Sequence, residues 1–258
     1  MREADYVQSI ARIYSSEQRF QKWSSKQDAG LWPQELALIE THCLDHDAEI
    51  CNIGCGSGRE TFALYHMGYR HVRGIDCTPA LLEIARRRSK ELGLNLQFDL
   101  GTADNLPYPS KTFDVVTMFE NLYGHITLLS ARLRSLAEVR RVLKPGGIVL
   151  MTATSIYHGW RYFLFIKMLE IFRVFYNPCG MERGDKKMKG ASKSKEGSCI
   201  EVARSHWFRP HEISHDARDV GLSVVQQTTV TAICRNPKGN STKLHNQGRL
   251  VYVLQRPV

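Results

Sequence analysis

The stretch from Glu49 to Gly58, EICNIGCGSG, constrains the fold of this chain more than any other part of it. Its first half is an apolar run that predicts a short strand with both faces covered, as in parallel α/β sheets. Gly54, Gly56 and Gly58 then remove three side chains from one tight turn, so the backbone can adopt positive φ and a ligand can approach closely. The amides at the start of a following helix would lie beside that ligand. The stretch therefore predicts a strand, a turn and a helix that bind a cofactor.

The spacing of the glycines excludes the common nucleotide-binding loops. A dinucleotide fold carries a third glycine three residues after the second, and that position is Arg59 here. A P-loop ends in Gly-Lys-Ser or Gly-Lys-Thr, and neither tripeptide follows the turn. A cysteine-ligated cluster is excluded because Cys51 and Cys55 have no third cysteine at the required spacing. By itself the glycine pattern is a weak signal, and a glycine-rich turn without a ligand stays open.

Further motifs make the chain resemble the class I S-adenosylmethionine-dependent methyltransferases. The resemblance rests on the glycine turn, RGIDCTPA, GTADNLPYP, FDVV and RRVLKPGGIVL, which in order and spacing cover about three fifths of the chain. It implies a Rossmann-like, doubly wound α/β fold with a mainly parallel seven-stranded sheet and an antiparallel last strand. It also implies an N-terminal helical lid and an insertion after strand five.

The resemblance implies S-adenosyl-L-methionine as cofactor and S-adenosyl-L-homocysteine as product. It assigns the ribose hydroxyls to Asp76 and the adenine to Asp104, which is favoured over Asp99. The family usually has Asp or Glu where this chain has Asn52, so a contact there with the methionyl ammonium would rely on an amide oxygen. The predicted cofactor-binding residues are Tyr14, Asn52, Gly54, Cys55, Gly56, Gly58, Asp76, Cys77, Thr78, Ala103, Asp104, Asn105, Leu106, Glu120 and Asn121.

Hydrophobic patterning and capping residues predict the elements of this fold. The predicted strands are 50–53, 71–75, 96–100, 113–119 and 148–153, followed by a hairpin of 222–234 and 249–255. Two predicted helices begin at Trp32-Pro33 and at Thr78-Pro79, and two others cover 59–66 and 131–143. We expect one domain over 1–258, with N-terminal helices or a lid at 1–45, the cofactor-binding core at 46–155, a cap helix and basic insertion at 156–204, and a C-terminal helix and hairpin at 205–258.

Polar residues follow the fourth predicted strand, in the sequence ENLYGHI. Because the C-terminal edge of a strand in an open α/β sheet faces the ligand crevice, Glu120, Tyr123 and His125 are the predicted catalytic residues, as bases or orienting groups. His158 is a further candidate. The DPPY or NPPY motif of DNA amino-methylating enzymes is absent at this strand, which disfavours methylation of exocyclic DNA amines.

The segment from Tyr157 to Tyr176 is an aromatic-rich predicted helix. Lys167, Glu170 and Arg173 share one face of it and nearly all the rest is apolar, which favours a substrate lid or a dimer contact, with an interfacial membrane helix as the alternative. No apolar run approaches the ~18 residues of a membrane span. The basic stretch 183–195 that follows is typical of a solvated loop, with a phosphate-binding patch as the alternative.

The sequence from His211 to His215, HEISH, matches the HExxH pattern of zinc proteases. A catalytic zinc of that kind needs a third protein ligand, and the chain after His215 contains no glutamate and no histidine at the metzincin spacing. Only Asp216, Asp219 and His245 remain as donors. We therefore predict a solvated helix here and no metal in the site, since a sulfonium methyl group is already electrophilic.

Three classes of function remain open. The favoured class transfers a methyl group to an O or N atom of a small-molecule acceptor, because the apolar segment after strand five could enclose a pocket. The net charge of +9 motivates the second class, an RNA (tRNA)-modifying methyltransferase. Asn52 motivates the third, a non-catalytic module that binds S-adenosylmethionine. The absence of an apolar leader and the seven scattered cysteines predict a cytoplasmic protein with reduced thiols, and a dimer is an open alternative to a monomer.

Overall fold

The computed structural model describes the stretches 17–126, 128–157, 160–176, 181–187, 204–239 and 248–258. Tyr14, His158 and most of the basic stretch 183–195 lie outside the described residues. The roles predicted for them, the N-terminal lid and the division into segments therefore stay predictions.

Strands and short helices alternate along the first two thirds of the described chain. Within the described stretches the strands are β1 (Glu49–Ile53), β2 (His71–Asp76), β3 (Gln97–Leu100), β4 (Phe113–Met118), β5 (Leu143–Thr154), β6 (Asp185–Lys187), β7 (Arg204–His206), β8 (Ser223–Thr229) and β9 (Arg249–Gln255). The helices in the same stretches are α1 (Glu17–Ser24), α2 (Pro33–His42), α3 (Arg59–His66), α4 (Pro79–Glu91), α5 (Leu122–His125), α6 (Leu129–Val142), α7 (Trp160–Phe175), α8 (Glu212–Asp219) and α9 (Val230–Arg235).

Seven of these strands form one sheet in the order β3-β2-β1-β4-β5-β9-β8. The pairs from β3 to β5 are all parallel, and β9 runs antiparallel to both of its neighbours, β5 and β8. β6 and β7 form a separate antiparallel pair. The predicted fold class, a mainly parallel seven-stranded sheet with an antiparallel last strand, is confirmed.

The neighbouring strands β1 and β4 are buried on both faces, which is why their sequences are mainly apolar without alternation. Cys51 of β1 packs into the same cluster as Leu136 of α6, whereas the next residue back, Ile50, packs with Leu38 of α2 on the other face. Successive side chains of a strand point to opposite faces, so both faces must be covered by helices. The sheet edge formed by the strand ends is thereby left for a ligand.

The predicted hairpin strand 222–234 is wrong in its second half. β8 ends at Thr229, and the β-branched residues that follow form the helix α9 instead. The Thr229 hydroxyl accepts a hydrogen bond from the Ala232 N–H at 3.3 Å and so caps the helix, and Ile233 is buried in the cluster that contains Leu38. A cap and one buried contact here outweigh the strand propensity of a Thr- and Val-rich run.

β5 begins five residues earlier than predicted. Phe113 pairs with Leu143, and the register then shifts before Val115 pairs with Ile148. This irregularity lets the Pro-Gly-Gly segment between Leu143 and Ile148 remain within the strand. The bounds of helix α3, in contrast, agree with the prediction.

None of the helices in the described stretches has the length and apolar character needed to cross a membrane.

Candidate active site

An open cleft lies at the carboxyl ends of β1, β2 and β4. This is the edge where open α/β sheets bind their ligands. The sequence-predicted residues that line the cleft are Gly54, Cys55, Gly56, Asp76, Cys77, Thr78, Ala103, Asp104, Glu120 and His125. Those that do not line it are Asn52, Gly58, Asn105, Leu106, Asn121 and Tyr123.

The glycine turn lines part of the cleft with backbone atoms instead of side chains. Gly54, Gly56 and Gly58 have φ values of +75°, +54° and +96°, a region that other residues rarely adopt. A Cβ on Gly54 would lie 2.7 Å from Leu122 Cδ1, and a Cβ on Gly58 would lie 2.6 Å from the Phe62 ring. Gly54 and Gly56 face the cleft, whereas Gly58 is buried at the start of α3. The three glycines therefore serve two purposes, ligand access and packing.

The carboxylate of Asp76 is held in place by the backbone on two sides. Its Oδ2 accepts a hydrogen bond from the Gly56 N–H at 2.9 Å, and its Oδ1 accepts one from the Thr78 N–H at 2.8 Å. Burial raises the pKa of Asp76, and the backbone N–H donors oppose that shift. Asp76 lines the cleft, so its carboxylate can accept hydrogen bonds from a ligand there.

The turn after β3 brings Ala103 and Asp104 into the cleft and turns the next two residues away. Asp104 Oδ2 lies 3.5 Å from an Arg134 guanidinium nitrogen. Asn105 is exposed, and Leu106 is 3% exposed and donates its N–H to a carboxylate on α6 at 2.9 Å. Only the first half of the predicted adenine-binding segment therefore faces the cleft.

Two consecutive residues after β4 adopt the left-handed conformation, Glu120 with φ 51° and Asn121 with φ 61°. Non-glycine residues in this region cost about 1–3 kcal/mol each and persist where the surroundings enforce them, often at functional sites. Here the Asn121 side chain donates to Ser205 Oγ at 3.0 Å and accepts from the Thr154 N–H at 2.7 Å. Asn121 thus fixes the turn from behind, while Glu120 points into the cleft.

Sequence reasoning missed a buried charge network at one end of the cleft. Arg59 donates to Glu35 in a bidentate pair at 2.8 and 3.0 Å and also to Glu60, and it lies 3.8 Å from Glu120. Arg59 and Glu60 both line the cleft. Burial raises the pKa of the Glu60 carboxyl to about 7, with Arg59 opposing the shift.

Lys26 joins this network from the segment after α1. Its Nζ lies 3.8 Å from Glu120 and 4.6 Å from the centroid of the Trp23 ring. The Trp32 ring lies 5.4 Å from Lys26 and 5.0 Å from the Arg59 guanidinium. The signal in the sequence was a lysine between two tryptophans ahead of the first strand, an arrangement that suits cation–π contacts.

Asn52 and Tyr123 are packed into the protein interior. Asn52 donates to Thr61 Oγ1 and accepts from Thr117 Oγ1, both at 3.1 Å, and so joins β1 to α3 and β4. The Tyr123 hydroxyl donates to Asp216 Oδ2 at 2.8 Å on the far side of α5. Their roles predicted from the sequence are not supported by their positions, because neither side chain lines the cleft.

His125 lies at the end of α5 and lines the cleft beside an apolar group of residues, namely Phe119, Leu122 and Ile126. Of the predicted catalytic residues within the described stretches, His125 and Glu120 are therefore the two that share the cleft. Which of them acts in catalysis stays a prediction.

The HExxH residues do not act together in the fold. His215 is exposed and pairs with Asp219 at 3.1 Å, whereas Glu212 accepts the Arg209 N–H and lies 3.9 Å from His206 Nε2. His211 is exposed as well, so both histidines of the match lie on the solvated side of α8, as predicted for a solvated helix.

Residues 50–147 match a protein family described as a methyltransferase domain. Over 120 residues the chain is 33% identical to a demethylmenaquinone methyltransferase from Staphylococcus epidermidis, covering 46% of this chain and 48% of that protein. The chain spans about half the length of this relative.

Two solved structures show the same fold. An S-adenosylmethionine-dependent methyltransferase from Methanosarcina mazei aligns with a TM-score of 0.64 at 23% identity, over 89% of this chain and 99% of that one. The 1,6-didemethyltoxoflavin-N1-methyltransferase of Burkholderia thailandensis, solved with 1,6-didemethyltoxoflavin and S-adenosylhomocysteine, aligns with a TM-score of 0.64 at 14% identity, over 100% of this chain and 92% of that one.

Proposed function

Because the chain belongs to the class I S-adenosylmethionine-dependent methyltransferase family, we propose that it transfers a methyl group from this cofactor to an O or N atom of a small-molecule acceptor. The family membership confirms the resemblance drawn from the sequence, and with it S-adenosylmethionine as the cofactor. The observation that carries the proposal is the Asp76 carboxylate, fixed by two backbone N–H groups beside the glycine turn.

The residues present fit the nucleoside half of the cofactor. The Asp76 carboxylate suits the two ribose hydroxyls, which can donate one hydrogen bond to each carboxylate oxygen. Asp104 offers an acceptor for the exocyclic amine of the adenine from the turn after β3. Gly54 and Gly56 leave room where a side chain would meet Leu122 or strain the turn.

The charge network fits the methionyl half, which carries one ammonium and one carboxylate. Lys26 and Arg59 are the cations that line this end of the cleft, and Glu60 and Glu120 are the anions. We assign the carboxylate to the cations and the ammonium to the anions, because each charge then meets its opposite. We therefore assign the methionyl ammonium to Glu60 and Glu120, which line the cleft, and not to the buried Asn52.

The acceptor would occupy the end of the cleft formed after β4. When bound, the cofactor supplies an electrophilic sulfonium methyl group, so the protein has to align the acceptor, exclude water and remove one proton. Phe119, Leu122 and Ile126 exclude water, and His125 is the proposed base, with Glu120 as the alternative. The apolar walls favour an uncharged small molecule. The name of the Staphylococcus relative, which refers to demethylmenaquinone, agrees with an acceptor of that kind.

A transfer assay with a methyl-labelled donor tests this proposal. The chain is incubated with labelled S-adenosylmethionine and either a panel of phenols, quinols and amines or total tRNA, and label is followed in each acceptor pool. We expect label in the small-molecule pool, and its loss in His125→Ala but not in His66→Ala, a histidine exposed on α3. Label in tRNA alone would instead support the RNA-modifying alternative. Donor binding without label in either pool would support the non-catalytic module.

A further inference from the structure

Helix α7 differs from an ordinary surface helix because two of its charged residues, Glu170 and Arg173, face the protein. Glu170 accepts a hydrogen bond from Arg209 at 3.0 Å, and Arg173 donates to the Asp185 carbonyl oxygen at 2.6 Å. Ile166 on the same inward side is 4% exposed. These contacts fix the rotation of the helix about its axis, so the rest of its surface is the outward side.

The outward side is an apolar stripe from Leu164 to Phe175. It consists of Leu164, Phe165, Met168, Ile171, Phe172 and Phe175, which repeat at intervals of three and four residues and so share one face. Their exposed fractions run from 43% at Phe165 to 85% at Phe175. Val174 and Tyr176, which adjoin the stripe, are exposed as well, whereas exposed apolar residues such as Leu44 and Leu92 lie elsewhere in the chain. A continuous patch of this kind marks an interaction surface.

Charge distinguishes between the partners that could cover the stripe. Arg161 is exposed three residues before Leu164, and the half-exposed Lys167 borders the stripe. The whole chain has a net charge of +9. Two copies of such a chain repel each other, whereas basic residues at the border of an apolar helix face are attracted to anionic lipid headgroups.

We propose that the outward stripe of α7 inserts into the surface of an anionic lipid bilayer, with the helix axis parallel to the membrane plane. A helix of 16 residues is too short to span the hydrocarbon core, but its apolar side matches the depth of the headgroup boundary. Lys167 and Arg161 then contact the headgroups while the aromatic rings enter the acyl region. This proposal does not depend on methyl transfer, because it requires neither cofactor nor acceptor.

Flotation with lipid vesicles tests the proposal. The chain is mixed with vesicles of phosphatidylcholine, with or without phosphatidylglycerol, and the bound fraction is measured. We expect binding to be at least about tenfold tighter with phosphatidylglycerol and to weaken with added salt, since a few basic side chains contribute. Phe172→Glu combined with Phe175→Glu should weaken it by about a hundredfold, because two rings would no longer be buried.

The matched control is Leu44→Glu combined with Leu92→Glu, which adds the same two negative charges at exposed apolar positions away from the stripe. We expect this control to retain most of the binding, and circular dichroism checks that both double variants are folded. Failure of the wild-type chain to float with phosphatidylglycerol vesicles, or equal losses in the two double variants, would overturn the proposal. A concentration-dependent dimer in sedimentation velocity, lost only in Phe172→Glu/Phe175→Glu and without vesicle binding, would overturn it in favour of a second copy.

Discussion

Replacement of Asp76 by alanine perturbs the contact on which the proposed cofactor site depends. Removal of the carboxylate deletes two charge-assisted hydrogen bonds to the ribose hydroxyls. At about 1–1.5 kcal/mol for each bond the loss is about 2–3 kcal/mol, or about a hundredfold in the dissociation constant. Isothermal titration calorimetry with S-adenosylhomocysteine measures it, and Asp47→Ala, which removes an exposed carboxylate, is the control.

The structure also predicts that Asp76→Asn is no milder than the alanine variant. Both carboxylate oxygens already accept a backbone N–H, so an amide would place its NH₂ group against the N–H of either Gly56 or Thr78. The ribose would lose a charged acceptor at the same time. An affinity within about twofold of wild type in Asp76→Ala, a change of about 0.4 kcal/mol, would refute the assignment of the ribose to this residue.

Three further predictions concern side chains around the cleft. His125→Ala should lower turnover by a factor of about 10²–10⁴ with little change in cofactor affinity, as steady-state kinetics and calorimetry would show, whereas equal losses in both would argue against a base. Tyr123→Phe should leave turnover unchanged but lower the free energy of unfolding by about 1–3 kcal/mol in urea melts, because Asp216 loses its buried donor; a large loss of turnover would contradict its placement outside the cleft. The pKa of Glu60 is raised to about 7, so the folded state keeps a proton that the unfolded state releases, and the free energy of unfolding of the wild type should fall as the pH rises from about 4.5 to about 7. In urea melts across that window Glu60→Gln should show a shallower fall, and parallel pH profiles of the two proteins would count against the raised pKa.

The local part of the site could be predicted from the sequence. The strand, the glycine turn and the start of α3 lie within one stretch of about 20 residues, where φ requirements and helix caps act between neighbours. The position of Asp76 in the site could also be predicted, because this residue ends β2, the strand that pairs with β1. The sequence also predicted the order of the core elements, since parallel strands separated by helices permit few topologies.

The features that could not be predicted from the sequence depend on contacts between distant segments or on the direction in which a side chain points from its helix. Glu35 and Arg59 are 24 residues apart and meet only through the packing of α2 beside α3. Tyr123 and His125 are two residues apart, which is about 200° around a helix, so one faces the core and the other the cleft. The two residue types do not indicate which side chain faces the core and which faces the cleft. The same rotation decides that the charged side of α7 faces inward, where hydrogen bonds from Arg209 and Arg173 fix it.

Native mass spectrometry of the purified chain with S-adenosylhomocysteine tests whether the cleft binds this cofactor product, because it detects the ligand in the complex without an acceptor. Gly56 has φ +54° and lines the cleft, so Gly56→Val should strain the turn and place a branched side chain there. We predict one bound S-adenosylhomocysteine per wild-type chain and none on Gly56→Val, with similar circular dichroism spectra for both proteins. A wild-type chain that binds no S-adenosylhomocysteine, or a valine variant that binds it equally well, would contradict the assignment of the cleft to this cofactor.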